Sequence, residues 1–205
     1  MKRFFFPLQF CISIVLSLSI TDNLLKTFIL LLFWAISFFP LQTFEWGAFL
    51  VFNVFFVAAN YGALKNMTFD FTHKDILLMP YNELFMWGFY ALNAKRFINI
   101  EIKDRFSQWK IKVAYIVLFS SLFSVVHNEI YLALLLLILG MVAFYIFKSQ
   151  RSTQYIFYYL FMGLIVEATG IYFNLWNYPH AQFYEIPLWT PLMWANIGLI
   201  MSLII

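Results

Sequence analysis

Two glutamates stand where a carboxylate is costly. Glu83 follows an asparagine inside the apolar run MPYNELFMWGFY, residues 79–90, and Glu167 opens EATGIYF, residues 167–173. An ionised carboxyl in hydrocarbon stays protonated, finds a partner or lines a polar cavity. A carboxyl kept neutral by an apolar site can act as a general acid, and a second one can take up a proton or orient water. Asn60, Tyr61, Asn82, Trp87, Trp176, Tyr178 and Trp194 are the candidate substrate-binding side chains around them. Aromatic faces among these could steady a cation. The plainer alternative is that each Glu only hydrogen-bonds a neighbouring helix through Asn60, Asn82 or Tyr61. Two intramembrane acids exceed what packing needs.

The elements that must position these groups are set by composition. With 63% hydrophobic, 22% aromatic and 11% charged residues, the 205-residue chain lies far from the soluble norm of about 25% charged. It reads as an integral membrane protein with little left over for an extramembrane module. Apolar runs occupy residues 4–20, 27–43, 46–65, 77–94, 111–126, 130–147, 154–173 and 187–205. These are about eight candidate spans, each near the short end of the roughly 17–25 residues that cross a bilayer core. The first run follows Lys2 and Arg3 without a small-residue cleavage site and is retained as a helix. A single cysteine, Cys11, rules out an intramolecular disulfide.

With the N-terminus inside, ten of the thirteen basic residues fall on the inner side, and Lys26, Lys65 and Lys74 fall outside. That asymmetry puts both termini in the cytoplasm, and a bacterial inner membrane is the expected location. A displacement of 107 residues lays the first four runs on the last four and superposes His73 on His180, Pro80 on Pro187, Met86 on Met193 and Trp87 on Trp194. Phe69 and Phe71 then meet Trp176 and Tyr178, Asn60 meets Glu167, and Glu83 meets Thr190. The expectation is an all-α bundle built as a parallel 4+4 duplication, with one repeat over 1–98, a basic linker over 99–107 and the other repeat over 108–205. A fourth helix entered near Leu77 would carry Glu83 roughly 9 Å below the outer boundary.

The three histidines, His73, His127 and His180, fall in outer loops with several carboxylates, a combination that can ligate zinc or iron. No compact ligand motif joins them, so no metal is expected and they are minor candidates only. No GxGxxG, P-loop or CxxC occurs, and the predicted helix interiors hold no lysine to form a retinal Schiff base. The implied partners are membrane lipid and a hydrophobic substrate, not nucleic acid.

The segment EATGIYFNLWNYPHAQFYEIPLWTPLMW, residues 167–194, resembles the carotenoid-biosynthesis integral membrane proteins, which include carotenoid hydratases and small membrane lycopene cyclases. Glu167, Gly170, Trp176, Tyr178, Pro187, Pro191 and Trp194 stand at the places of that pattern, and MPYNE, with Pro80 and Glu83, looks like the cyclases' proline–acid helix start. Where the cyclases pair two acids, this chain has Asn82 before Glu83, and its second repeat has Leu188–Trp189–Thr190. The resemblance implies an enzyme, of lyase or isomerase type, that protonates a polyene with Glu83 and Glu167 and needs no cofactor. Two other readings stand beside it. In a small proton-coupled transporter Asn53, Asn60, Asn82, Glu83, Glu167 and Asn196 would line a path; a structural subunit of a membrane complex, or a homo-oligomer, would suit the chain's small size.

Overall fold

In the computed structural model the described residues are 2–100, 107–181 and 185–205; Lys103 and Arg105 of the basic linker, and the side chains of Lys2 and Arg3, lie outside them. The described chain is all-helical apart from one two-stranded ribbon. Eight helices follow in order: α1 (Lys2–Ser19), α2 (Asn23–Phe38), α3 (Thr43–Lys65), α4 (Glu83–Ile98), α5 (Trp109–Val125), α6 (Glu129–Phe147), α7 (Gln150–Tyr172) and α8 (Thr190–Ile204). Three of them, α3, α6 and α7, are long and apolar enough to cross a membrane, and α2 and α8 are shorter apolar helices. These helices are compatible with a membrane protein.

Two compact units divide the chain. One comprises residues 1–61 and 73–99, the other residues 62–72 and 100–205. Residues 62–72, which the sequence groups with the first repeat, thus pack with the second unit.

Helix starts follow from local chemistry. Asp22 accepts the Leu25 N–H at 2.7 Å, Asn128 accepts the Tyr131 N–H at 3.1 Å, and Ser149 accepts the Ser152 N–H at 3.0 Å. Each satisfies one backbone donor that the helix itself leaves unpaired. At the other end of α4, Asn99 adopts the left-handed conformation at φ 49°, a stop that short polar side chains tolerate.

The fourth run departs from its sequence reading of 77–94. Leu77 and Leu78 both have positive φ, 52° and 65°, and Ile76 bridges to Met79 across them. This tight turn costs roughly 1–2 kcal/mol per left-handed residue. Asp75 braces it by accepting the Tyr81 N–H at 3.2 Å and the Asn23 side-chain amide at 2.9 Å. Pro80 follows, and α4 begins only at Glu83. Glu83 therefore stands in the first helical turn, where the exposed N–H groups favour a carboxylate, and the expected several residues of helix above it are absent.

In the first unit an aromatic cluster forms the core: Leu30, Trp34, Phe38, Phe89 and Leu92 are buried, with Phe33, Phe49 and Phe85 packed against them. The first turn of α3 is tied to the last turn of α4 by Glu45, which accepts Lys95 Nζ at 3.2 Å and Arg96 Nη2 at 2.8 Å. Burial of this carboxylate is tolerable because both oxygens meet cationic donors. In the second unit α7 and α8 run in close contact over Tyr155 and Tyr159, both fully buried. Arg151 donates from Nε to the Ser202 carbonyl at 2.9 Å and lays its guanidinium 4.7 Å from the Tyr155 ring centre.

Gly198 sets the α7–α8 distance. A Cβ there would stand 2.6 Å from the Tyr155 carbonyl oxygen and 2.8 Å from the Ile156 Cα. Backbone atoms cannot step aside as a side chain tip can, so Gly198→Ala is expected to lower stability by about 1–3 kcal/mol, the usual range for overpacking. A Cβ at Gly47 would meet nothing within 4 Å, and Gly47→Ala in α3 is expected to gain about 0.5–1 kcal/mol. Thermal unfolding of the two variants in detergent checks this; indistinguishable melting temperatures would refute the contact.

Candidate functional site

The second unit gathers four of the sequence-predicted residues at one point. Glu167 is 4% exposed in α7. Its Oε2 accepts Tyr178 Oη at 2.7 Å and Trp176 Nε1 at 3.1 Å, and its Oε1 accepts Trp194 Nε1 at 3.0 Å. All three donors are neutral. Both oxygens accept, so the cage suits the ionised form while each oxygen keeps a further lone pair that a proton can occupy.

Glycines make the cage possible. On α7, Gly163 and Gly170 lie four residues before and three residues after Glu167, so all three share one helix face. A Cβ at Gly163 would fall among the ring atoms of Trp194, and a Cβ at Gly170 among those of Trp176. The two indoles therefore lie directly on the helix surface, one turn to either side, and turn their N–H groups inward. Gly170 and Trp194 were legible as parts of a motif. Gly163 was not, although a glycine on each side of an intrahelical acid is a readable signal.

The chain returns to Glu167 through a short, well-bonded turn. Past the end of α7, Phe173 N–H donates to the Thr169 carbonyl at 3.0 Å and Leu175 N–H to the Gly170 carbonyl at 2.8 Å, with Asn174 left-handed at φ 53° between them. Strand β1 (Asp70–Phe71) then pairs antiparallel with strand β2 (Trp176–Asn177), Asp70 opposite Asn177 and Phe71 opposite Trp176. Rings reinforce the ribbon: Phe71 meets Trp176 with centres 5.9 Å apart and Phe69 meets Tyr178 at 6.2 Å. Trp189 closes on Tyr178 from the start of α8, at 5.6 Å. Burial first, and then the charge of Glu167, hold the Tyr178 phenol well above the ordinary tyrosine range. It stays a donor.

The remaining candidates are distributed differently. In the first unit Asn82 and Glu83 are buried at the start of α4, and Trp87, one turn on, stacks on Phe56 with ring centres 4.3 Å apart. Asn60 and Tyr61 lie half-buried near the far end of α3. Asn53, also on α3, accepts the Gly88 N–H at 2.6 Å. In the second unit Asn196 accepts Tyr115 Oη at 2.7 Å and donates to the Leu136 and Leu192 carbonyls, a fully engaged amide that ties α5, α6 and α8 together. His73 is exposed, and so are His127 and His180, which share the lining of a small pocket with Glu129. Glu129 is occupied in accepting the Leu188 N–H at 2.7 Å. Among the described residues no three His, Cys, Asp or Glu side chains could together hold a metal ion.

Fold and site together define an all-helical chain with three helices long and apolar enough to cross a membrane and a buried carboxyl in a cage of aromatic donors. Comparisons with family models, with curated proteins and with solved structures gave no match.

Because the folded state keeps the Tyr178 proton that the unfolded chain releases near the ordinary phenol value of 10.0, stability from this group is complete below that pH and is lost as pH climbs from there toward the raised folded value. Between pH 9 and 11, wild-type stability is expected to fall more steeply than that of Tyr178→Phe. Parallel curves from alkaline denaturation would contradict the cage. Trp194→Phe, which removes one donor from a buried acceptor, is expected to cost about 1–3 kcal/mol in thermal unfolding.

Proposed function

We propose that this chain is an integral membrane enzyme of the carotenoid-biosynthesis type, acting on a hydrophobic isoprenoid or carotenoid-like lipid by acid-catalysed protonation that leads to hydration or cyclisation. The observation that carries the reading is the Glu167 cage: a carboxyl buried among Trp176, Tyr178 and Trp194 with three neutral donors on its oxygens. In the scheme, a carboxylic acid passes its proton to one carbon of a terminal double bond, the π pair becomes the new C–H bond, and the neighbouring carbon becomes a cation. Three preorganised donors suit the carboxylate left behind. Aromatic faces suit the cation. Addition of water with return of one proton to the carboxylate gives a product heavier by one water; attack by a second double bond followed by proton loss gives an isomer. Glu83, at the start of α4, is the second carboxyl of the proposal, and Asn60, Tyr61, Asn82 and Trp87 are among its substrate-binding side chains.

The proposal includes eight spans in two four-helix repeats, with both termini in the cytoplasm of a bacterial inner membrane. Several internal correspondences support the repeat. Displaced by 107 residues, α3 falls on α7 end for end and the start of α4 falls on the start of α8. In the first unit Lys95 bonds Glu45, and in the second their counterparts Ser202 and Ser152 lie 3.3 Å apart, hydroxyl to hydroxyl. Trp87 stacks on Phe56 as Trp194 lies on the counterpart Gly163. The β1–β2 ribbon is centred on Asp70 and Asn177, themselves counterparts, which is the pairing a local twofold produces.

Expression in a bacterium that accumulates lycopene, with pigments separated by chromatography and weighed by mass spectrometry, tests the function. A new pigment heavier by one water, or an isomer of unchanged mass, is expected from the wild type and is expected to disappear in Glu167→Gln and, separately, in Glu83→Gln. Activity retained by Glu167→Gln would exclude the mechanism. An unchanged pigment profile with folded protein present would remove lycopene as substrate.

A further inference from the structure

The second unit carries an apolar groove between α6, α7 and α8, with a volume of about 290 Å³. Its walls include Gly140, Met141, Ile156, Phe157 and Leu192, and Asn196 lies at its floor. No charged side chain lines it. The Asn196 amide is committed to Tyr115, Leu136 and Leu192 and the Thr153 hydroxyl donates to the Ser149 carbonyl, so the groove offers an occupant no charge and no uncommitted donor among these groups. Both flanking helices, α6 and α7, are long and apolar enough to cross a membrane, and in a membrane-embedded chain such helices meet hydrocarbon.

The repeat shows what fits such a space. Displaced by 107 residues, Gly140, Met141, Ile156, Leu192 and Asn196 correspond to Phe33, Trp34, Phe49, Phe85 and Phe89. In the first unit those positions form the aromatic cluster. Trp34 meets Phe89 with ring centres 4.6 Å apart and Phe85 at 5.0 Å, and Phe49 meets Phe89 at 4.7 Å. Where the first unit is filled by its own flat rings, the second has a glycine, three flexible or aliphatic side chains and an amide turned away to carbonyls. Side-chain truncation on one side of a packed layer leaves a cavity unless something enters it.

We propose that this groove is a binding site for one neutral, unsaturated hydrocarbon chain, whose flat sp² segments take the place that aromatic rings hold in the first unit. The inference rests on the repeat reading given above and is independent of the reaction at Glu167.

The test uses the full chain, purified and placed in nanodiscs of saturated lipid, with a diazirine-bearing farnesol as probe and a diazirine-bearing palmitic acid as comparison. After irradiation, adducts are mapped by mass spectrometry. The farnesol probe is expected to label peptides holding Met141 and Phe157, and the labelling is expected to be lost when the groove is filled with the first unit's residues, Met141→Trp with Leu192→Phe. Equal labelling of the filled variant would overturn the site, as would palmitic acid labelling as strongly as farnesol, the mark of ordinary surrounding lipid. If the filled variant does not fold, competition on the wild type decides: displacement by unlabelled farnesol but not by palmitic acid supports the site, and no displacement overturns it. The readout needs no turnover. A chain that alters no pigment yet labels in this way keeps the groove and loses the proposed reaction.

Discussion

A carboxylate inside an apolar bundle must draw every hydrogen bond from the protein, and much of the second unit follows from that requirement at Glu167. Burial removes the hydrogen bonds that bulk water would supply to it. Three donors must converge on two oxygens, and the available ones sit on large flat side chains. Two indoles can reach a carboxylate on the same helix face only by lying against the helix itself, so the residues one turn to either side must be glycine. The third donor has to come from beyond the helix end, which demands a tight return of the chain and a ribbon to steady it. Gly163, Gly170, the left-handed Asn174 and the β1–β2 pair are thus consequences of one buried charge site.

A contrasting solution appears in the first unit at Glu45. There the donors are cationic, Lys95 and Arg96, and sit on the last turn of the partner helix. An ion pair of this kind needs no glycine and no returning loop, because long flexible side chains supply the reach. It fixes a helix end. The Glu167 cage, by contrast, leaves its carboxyl among aromatic rings and, among the described residues, bonded only to neutral donors, which is a chemical environment and not merely a clasp.

How much of this could be read from the sequence depends on the length scale of the signal. Helices appeared as apolar runs because hydropathy integrates over many residues, and seven of the eight begin within a few residues of their runs. The start of α4 did not, since Leu77 and Leu78 look like helix on composition alone; their left-handed turn is imposed by Asp75, Asn23 and the Ile76–Met79 bridge, partners that hydropathy does not see. At the site, Glu167, Trp176, Tyr178 and Trp194 were recognisable as types, but that three of them aim at the fourth depends on rotamers set by Gly163 and Gly170. The aromatic cluster around Trp34 and the groove around Asn196 were hidden for a related reason: they are differences between two equally apolar patterns, and hydropathy is blind to side-chain volume.

Residues 62–72 belong to the second unit although residues of the first flank them on both sides in the chain. Strand β1 is therefore lent across the boundary that a simple two-part division of the sequence would draw. A gene divided in the basic linker would produce a C-terminal fragment whose Trp176 and Tyr178 face no Phe71 and no Phe69, and an N-terminal fragment ending with those two phenylalanines bare. The two parts of this polypeptide are interleaved, and recombination that exchanges either one alone would have to bring matching aromatic residues for the other side of the ribbon.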